Sequence, residues 1–386
     1  MTSLLVVAAV LVALPGAGAA LHLGLLAAAS LRYAEPRPAG PVPRVRFLVM
    51  VPAHNEEAVI RQTLAAIGAN RRPGDQVMVV ADRCTDQTAA LARIHGARVL
   101  ERGPDEAPGR AAARQAGIAA ALERDDWDAL VMIDADSVIE PGFLTACERM
   151  LACGARAVQA RSEAELRGGL VGQASLAAFA LQGLTMPRGR DRLGLLVRLR
   201  GTGMVLRREL LTRFAFRAPA SEDLWFSLDL CLAGVLPRHA ESARLRSVSV
   251  RSWSAASGQR TRYEAGRISA AREYLPRLLA SPTAAALEAA WWLATPPFAV
   301  AAGSLGAGLV LALLAGSAPL AAVLAGLLLL LGGVLVTALV QARAGLGTWL
   351  ALLAAPWYVL WKLGVQARAL ASVRRGESSY GPTARR

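Results

Sequence analysis

The pattern of apolar and polar positions divides the chain into two long uncharged runs and a mixed middle. Residues 3–31 carry no Asp, Glu, Lys or Arg, and neither do residues 289–341. Each run is long enough to cross a bilayer, which takes about 20 apolar residues. From about 45 to 275, short apolar runs alternate with helical periodicity. RFLVMV (46–51) reads as a buried strand ended by PAHNEE (52–57), and a helix is expected over 57–69. QVMVV (76–80) is a second strand ending in ADRCTD (81–86). A helix over 86–95, a short strand at 97–101 and a helix at 109–123 follow. The fourth strand, LVMI (130–133), runs into Asp134 and Asp136, and GTGMVLRR (201–208) reads as a tight turn, a strand and a helix start. Strands alternating with helices predict an α/β fold with a mainly parallel, doubly wound sheet. Three strands end in polar clusters, which a parallel sheet brings to the edge where such folds bind ligands.

The same pattern predicts the membrane part. After the first run comes a Pro-rich stretch, 36–43, which suits a stiff linker. Beyond the domain, spans are expected over 298–316 and 320–341, joined by an uncharged turn. Residues 346–361, with Trp349, Trp357, Tyr358 and Trp361, have the composition of an interfacial helix. Three spans plus that helix are expected, with four spans as the alternative. The N-terminal run could instead be a cleaved leader with small residues around Ala17–Ala20; its length and the lack of a preceding basic region favour a retained helix. Arg32, Arg37, Arg44 and Arg46, opposed only by Glu35, place the following domain in the cytoplasm by the positive-inside rule. Residues 170–184 read as an amphipathic helix near the membrane. His22 lies within the first span as a packed residue or a functional one.

Composition changes this picture little. Hydrophobic residues make up 54% of the chain and the net charge is +14, almost all from arginine. Basic flanks suit anionic lipid headgroups; no basic stripe with interleaved aromatics supports nucleic-acid binding. No G-x-G-x-x-G or Walker-type loop follows a strand. Cys84, Cys147, Cys153 and Cys231 have no metal spacing, so reduced structural thiols are expected.

Several segments carry chemistry. Two carboxylates one residue apart at a strand end, Asp134 and Asp136, either close an Asp-rich turn or hold a hard cation shared with substrate phosphates. Asp82 serves equally as an Asx turn. The acidic pair Glu222 and Asp223 opens an apolar-periodic helix (223–234), where carboxylates are favoured by the macrodipole and Ser221 suits the cap. Gly201 and Gly203 would permit a backbone bend.

Taken together, VPAHNEE (51–57), VADRCTD (80–86), PGRAAAR (108–114), DAD (134–136), SED (221–223) and QRTRY (259–263) resemble, in order and spacing, the membrane-bound members of glycosyltransferase family 2. These include synthases of cellulose, hyaluronan and poly-N-acetylglucosamine. The resemblance covers roughly residues 46–275. It implies a GT-A nucleotide-diphospho-sugar transferase fold, Rossmann-like, with transmembrane helices at both ends. The implied organisation is a membrane helix (1–32), a linker (33–45), a cytoplasmic catalytic domain (46–275), an interfacial segment (276–297), two membrane helices (298–341) and an interfacial or re-entrant helix with a basic tail (346–386). The implied location is the inner membrane of a bacterium.

The resemblance also implies roles. Pro52, Ala53, Asn55, Glu56, Asp82, Arg110 and Asp134 would surround the nucleotide-sugar. Asp134 and Asp136 would hold Mg²⁺ or Mn²⁺, which acts as a Lewis acid on the leaving diphosphate. Asp223, with Glu222 beside it, would supply the general base. Gln259, Arg262 and Tyr263 would serve the acceptor and the diphosphate, arginine offering a bidentate fork. Tyr263 stands where the family usually has Trp, a smaller platform for a sugar. The expected activity is inverting transfer of a hexose, from a UDP-sugar first of all, to a cell-envelope or extracellular polysaccharide. The alternative is a single transfer to a membrane lipid, and a remote one is a non-catalytic sugar-binding scaffold. A polymer would need a homo-oligomer or an export partner, because so few helices enclose no channel.

Overall fold

A computed structural model describes residues 2–165, 169–217, 221–248 and 253–375. Eight strands form one sheet: β1 (Phe47–Ala53), β2 (Gln76–Asp82), β3 (Arg98–Arg102), β4 (Ala129–Met132), β5 (Ser137–Ile139), β6 (Ala157–Glu165), β7 (Met204–Arg207) and β8 (Arg238–Val248). Their order is β3-β2-β1-β4-β7-β6-β8-β5. The first four are mutually parallel. The other half is mixed: β7 runs antiparallel to both β4 and β6, β8 is parallel to β6, and β5 antiparallel to β8. The expected run of parallel strands is continuous from β3 to β4, and the rest of the sheet is mixed.

Period-two alternation explains why these strands form. Phe47, Val49 and Val51 face one buried layer with Val79, Val131 and Ile133. Leu48 and Met50 face the opposite layer with Met78, Val80, Leu130 and Met132. Strands covered on both faces read as continuous apolar runs, as parallel strands do. The helices that cover them are Ile60–Asn70, Thr88–Ile94 and Arg110–Leu122, close to the expected positions.

Among the described residues, two helices are long and apolar enough to cross a membrane, Thr2–Ser30 and Ala318–Gln341. The expected span at 298–316 is the helix Phe298–Leu314, which passes that test only together with Ala284–Ala294, from which it is bent by 63° at the Pro296–Pro297 break. Small residues let the helix Thr2–Ser30 approach Phe298–Leu314 closely: an added Cβ on Gly308 would lie 2.8 Å from the Ala13 Cβ. His22 is a packed residue, with Nε2 2.9 Å from Glu288 Oε1, which also accepts from Arg190. The segment after 345 forms a short helix, Leu346–Ala351, then Ala355–Arg374, whose Lys362 pairs with Glu264 at 2.9 Å. Its basic tail beyond residue 375 lies outside the described residues. The segment expected to be amphipathic is apolar nearly all round. It forms the helix Gly169–Ala180, which widens into a π turn, Leu181–Thr185, before Met186–Arg192.

Candidate active site

The carboxyl ends of β1, β2 and β4 open onto one edge, as their parallel pairing requires. The loops after β1 and β2 lace together. Asn55 Oδ1 accepts from the Thr85 N–H at 2.8 Å, the Glu56 N–H donates to Thr88 Oγ1 at 2.8 Å, and the His54 ring contacts the Asp82 carbonyl at 2.6 Å. Asn55 and Arg83 both take left-handed backbone, φ 52° each, the kind of local strain that collects at functional sites. Pro52 and Ala53 line the same loop, Ala53 buried and Pro52 partly exposed. Asp82 is buried and pairs with Arg102 Nη1 at 2.5 Å. One of its oxygens thus has a protein partner, which an Asx turn alone does not explain.

Beyond β4 the chain turns at Ala135, which is buried and whose carbonyl accepts from Thr63, while Asp134 and Asp136 on either side stay partly exposed. Asp134 is flanked by two guanidinium groups, Arg110 at 3.4 Å and Arg114 at 3.3 Å. The charge of Asp134 holds Arg110 more firmly protonated than an ordinary arginine. Arg114 joins the parts of the site. Fully buried, it donates to Glu222 at 2.5 Å, to Asp134 and to the Gly201 carbonyl at 2.8 Å. Its signal was the spacing from Arg110, because residues four apart share a helix face.

Glu222 and Asp223 open the helix Glu222–Leu232. Ser221 does not cap it through its side chain: it is left-handed at φ 59° and makes no capping bond, and the Leu224 N–H is met by Asp223 Oδ1 at 2.8 Å instead. The 199–203 segment is fixed against this helix. Leu199 N–H donates to Ser227 Oγ, which donates to the Asp223 carbonyl, and Gln159 bonds both the Arg200 N–H and the Thr202 carbonyl. Gly201 must be glycine: φ is 81°, and a Cβ would sit 3.2 Å from Arg114 and 3.3 Å from Asp223 Oδ2.

Burial first, then the charge of Glu222, pushes the Asp223 carboxyl up to about 6, with Arg114 opposing. With Asp223 as the general base that the resemblance implies, kcat/KM is expected to fall as pH drops through about 6, because a base must be ionised. Glu222→Gln should move that limb to lower pH. A pH profile of initial rates checks both.

Tyr263, whose side chain is half exposed, has its phenol pushed up by burial first and by the charges of Asp223, Asp134 and Glu222, with Arg110 opposing. Arg262 lies in the same field, beside Arg110 and Tyr263. Both belong to the helix Trp253–Leu279, against which Tyr358 packs, accepting from Arg260 at 2.8 Å. The side chain of Gln259 lies outside the described residues. The four cysteines are free thiols.

A half-parallel sheet with carboxylates at its ligand edge, closed by a mixed half that brings a second acidic pair alongside, defines a glycosyltransferase of the GT-A type. Residues 43–266 match the family described as glycosyltransferase like family 2, and the chain belongs to it. The mannosyltransferase PcManGT from Pyrobaculum calidifontis, solved with GDP-Man and Mn²⁺, is similar over 97% of this chain and 99% of its own, with a TM-score of 0.60 and 20% identity. A looser likeness, TM-score 0.42 and 23% identity, links 58% of the chain to 82% of glucosyl-3-phosphoglycerate synthase from Mycobacterium tuberculosis. The probable glycosyltransferase YdaM of Bacillus subtilis (strain 168) is 32% identical over 100 residues, 24% of this chain. The chain spans about a quarter (23%) of the length of that relative.

Proposed function

We propose that the protein binds a nucleotide-diphospho-hexose over Asp82, Arg110 and the Asp134–Asp136 pair, and transfers the hexose with inversion to an acceptor hydroxyl deprotonated by Asp223. The observation that carries this is Arg114, which ties Asp134 on the donor side to Glu222, beside Asp223, on the acceptor side. Pro52, Ala53, Asn55 and Glu56 shape the nucleoside pocket, and Tyr263 and Arg262 face the incoming sugar and diphosphate. Glu222, held by Arg114, is a positioning residue. UDP-hexoses are the first donors to test, with GDP-mannose beside them because the Pyrobaculum mannosyltransferase was solved with it.

The residues fit a divalent cation. Asp134 and Asp136 offer hard oxygen donors. Among the described residues no cluster of three or more His, Cys, Asp or Glu could hold an ion alone, which suits Mg²⁺ or Mn²⁺ shared with a diphosphate. Such an ion would neutralise the charge gathering on the leaving group. Asp136→Ala is expected to abolish the tightening of UDP or GDP binding by Mn²⁺, measured by titration calorimetry. Undiminished metal-dependent binding would remove Asp136 from this role.

The two apolar helices support membrane association, with the catalytic part on the cytoplasmic side of a bacterial inner membrane. The acceptor is either a growing polysaccharide or a lipid. Incubating membranes with labelled UDP-hexoses and GDP-mannose and sizing the product separates them: polymer in one case, a lipid-extractable monosaccharide adduct in the other.

A further inference from the structure

The segment carrying Gly201 also carries two arginines that the donor site does not use. Arg200 precedes the glycine that abuts Asp223, and its guanidinium turns toward the helix Gly169–Ala180 and the π turn that follows it. It lies 5.7 Å from the Phe179 ring, and a Cβ on Gly183 would be only 2.8 Å from its Nη1. That Nη1 is buried and has no hydrogen-bond partner among the described residues. Two residues earlier, Arg198 stacks 3.6 Å from the Trp292 ring, bonds Gln182 at 3.1 Å and leaves its Nε without a partner among the described residues. Among the described residues, neither arginine forms a salt bridge with a carboxylate. Burial weakens the hold of both guanidinium groups on their protons, and for Arg198 the charge of Arg190 adds to this. Both side chains are partly buried and Asp223 lies in the field of Arg200, but a buried N–H without an acceptor is costly, and an anion would supply one.

Phe179 has a second role. With Leu184, Leu339 and Ala342 it lines a cavity of about 120 Å³ between the Gly169–Ala180 helix, the π turn and the membrane helix Ala318–Gln341, with Ser162 at its polar rim. The cavity has room for the first carbons of an aliphatic chain. Arg161 and Glu163, on β6 beside Ser162, line it as well. The cavity and Arg200 thus share Phe179, and Arg200 adjoins the Gly201 that abuts Asp223.

We propose that the acceptor is a membrane lipid whose headgroup carries both a phosphate and a free hydroxyl, the phosphate bound by Arg200, the first carbons of a chain in the cavity behind Phe179, and the hydroxyl presented to Asp223. This rests on the transferase reading and names its acceptor. The hydroxyl oxygen forms the new bond to the anomeric carbon. The bond from that carbon to the diphosphate oxygen breaks, its electron pair leaving on the nucleoside diphosphate, and the hydroxyl proton passes to Asp223.

The test uses the full chain in phosphatidylcholine vesicles doped with phosphatidylglycerol (phosphate and hydroxyl), phosphatidic acid (phosphate without an alcohol) or diacylglycerol (an alcohol without phosphate), with labelled donor. Labelled lipid is expected from phosphatidylglycerol. Arg200→Gln should raise the KM for it about 10- to 100-fold, the range for a lost charge-assisted hydrogen bond, with UDP or GDP affinity and melting temperature unchanged. Arg200→Lys should recover part of the loss. Equal transfer to diacylglycerol, an unchanged KM in Arg200→Gln, or equal use of soluble glycerol 3-phosphate overturns the proposal. Donor turnover with polymer or no lipid product overturns it while leaving the transferase standing. A wild-type protein that binds neither UDP nor GDP overturns the transferase reading and this proposal with it.

Discussion

Asp223→Asn is expected to lower kcat by a factor of about 10²–10⁴ or more, the usual contribution of a positioned general base, while nucleotide-sugar binding persists. Asparagine keeps the size of the side chain and one oxygen for the Leu224 N–H, so the helix start should survive. What it lacks is the proton acceptor. The acid limb of the pH profile should disappear with it, since that limb belongs to the carboxyl raised to about 6. Single-turnover rates beside calorimetric donor affinity would decide the matter. Turnover like the wild type's would remove Asp223 from its role.

The largest stability effect is expected at Arg114. Replacing it with Met keeps the bulk of a fully buried side chain but leaves Glu222 and Asp134 facing each other without the cation between them. Breaking a buried ion pair from one side costs about 3–5 kcal/mol, so the denaturant midpoint should fall by a corresponding amount. The Gly201 carbonyl would lose its donor as well, and transfer should fall with it. Adding Glu222→Gln should restore part of the stability, because the stranded carboxylate is then neutral, without restoring activity. If Arg114→Met unfolded no more easily than the wild type, the pair would not be the fastener described above.

How much was legible in the sequence follows from these particulars. Strands β1 to β4 announce themselves because both their faces are buried, leaving runs such as FLVMV with no polar interruption. Strands β6 and β8 do not: AVQARSEAE and RHAESARLRSV alternate apolar residues with charge that faces out or pairs across the sheet, as Arg161 does with Glu241. That composition reads as loop or helix. The acidic clusters were visible as motifs, and the parallel register explains why three of them meet. Arg114 was not singled out, because nothing in a run of alanines tells a buried arginine from an exposed one. Ser221 looked like a cap by residue type, yet its left-handed backbone turns that side chain away from the role. Arg200 was invisible for a different reason: its significance lies in what it does not touch.

The bend between Ala284–Ala294 and Phe298–Leu314 has a consequence for what counts as the enzyme. The first of these helices packs Ala285, Ala286, Ala289 and Ala290 into the same core as Leu224 and Leu228, which lie on the helix of the base. The second leans on the N-terminal helix through Ala301 and Leu305. The apolar helices are therefore packed into the wall behind Asp223. Trimming the chain to its eight-stranded sheet and the helices that cover it would uncover that wall.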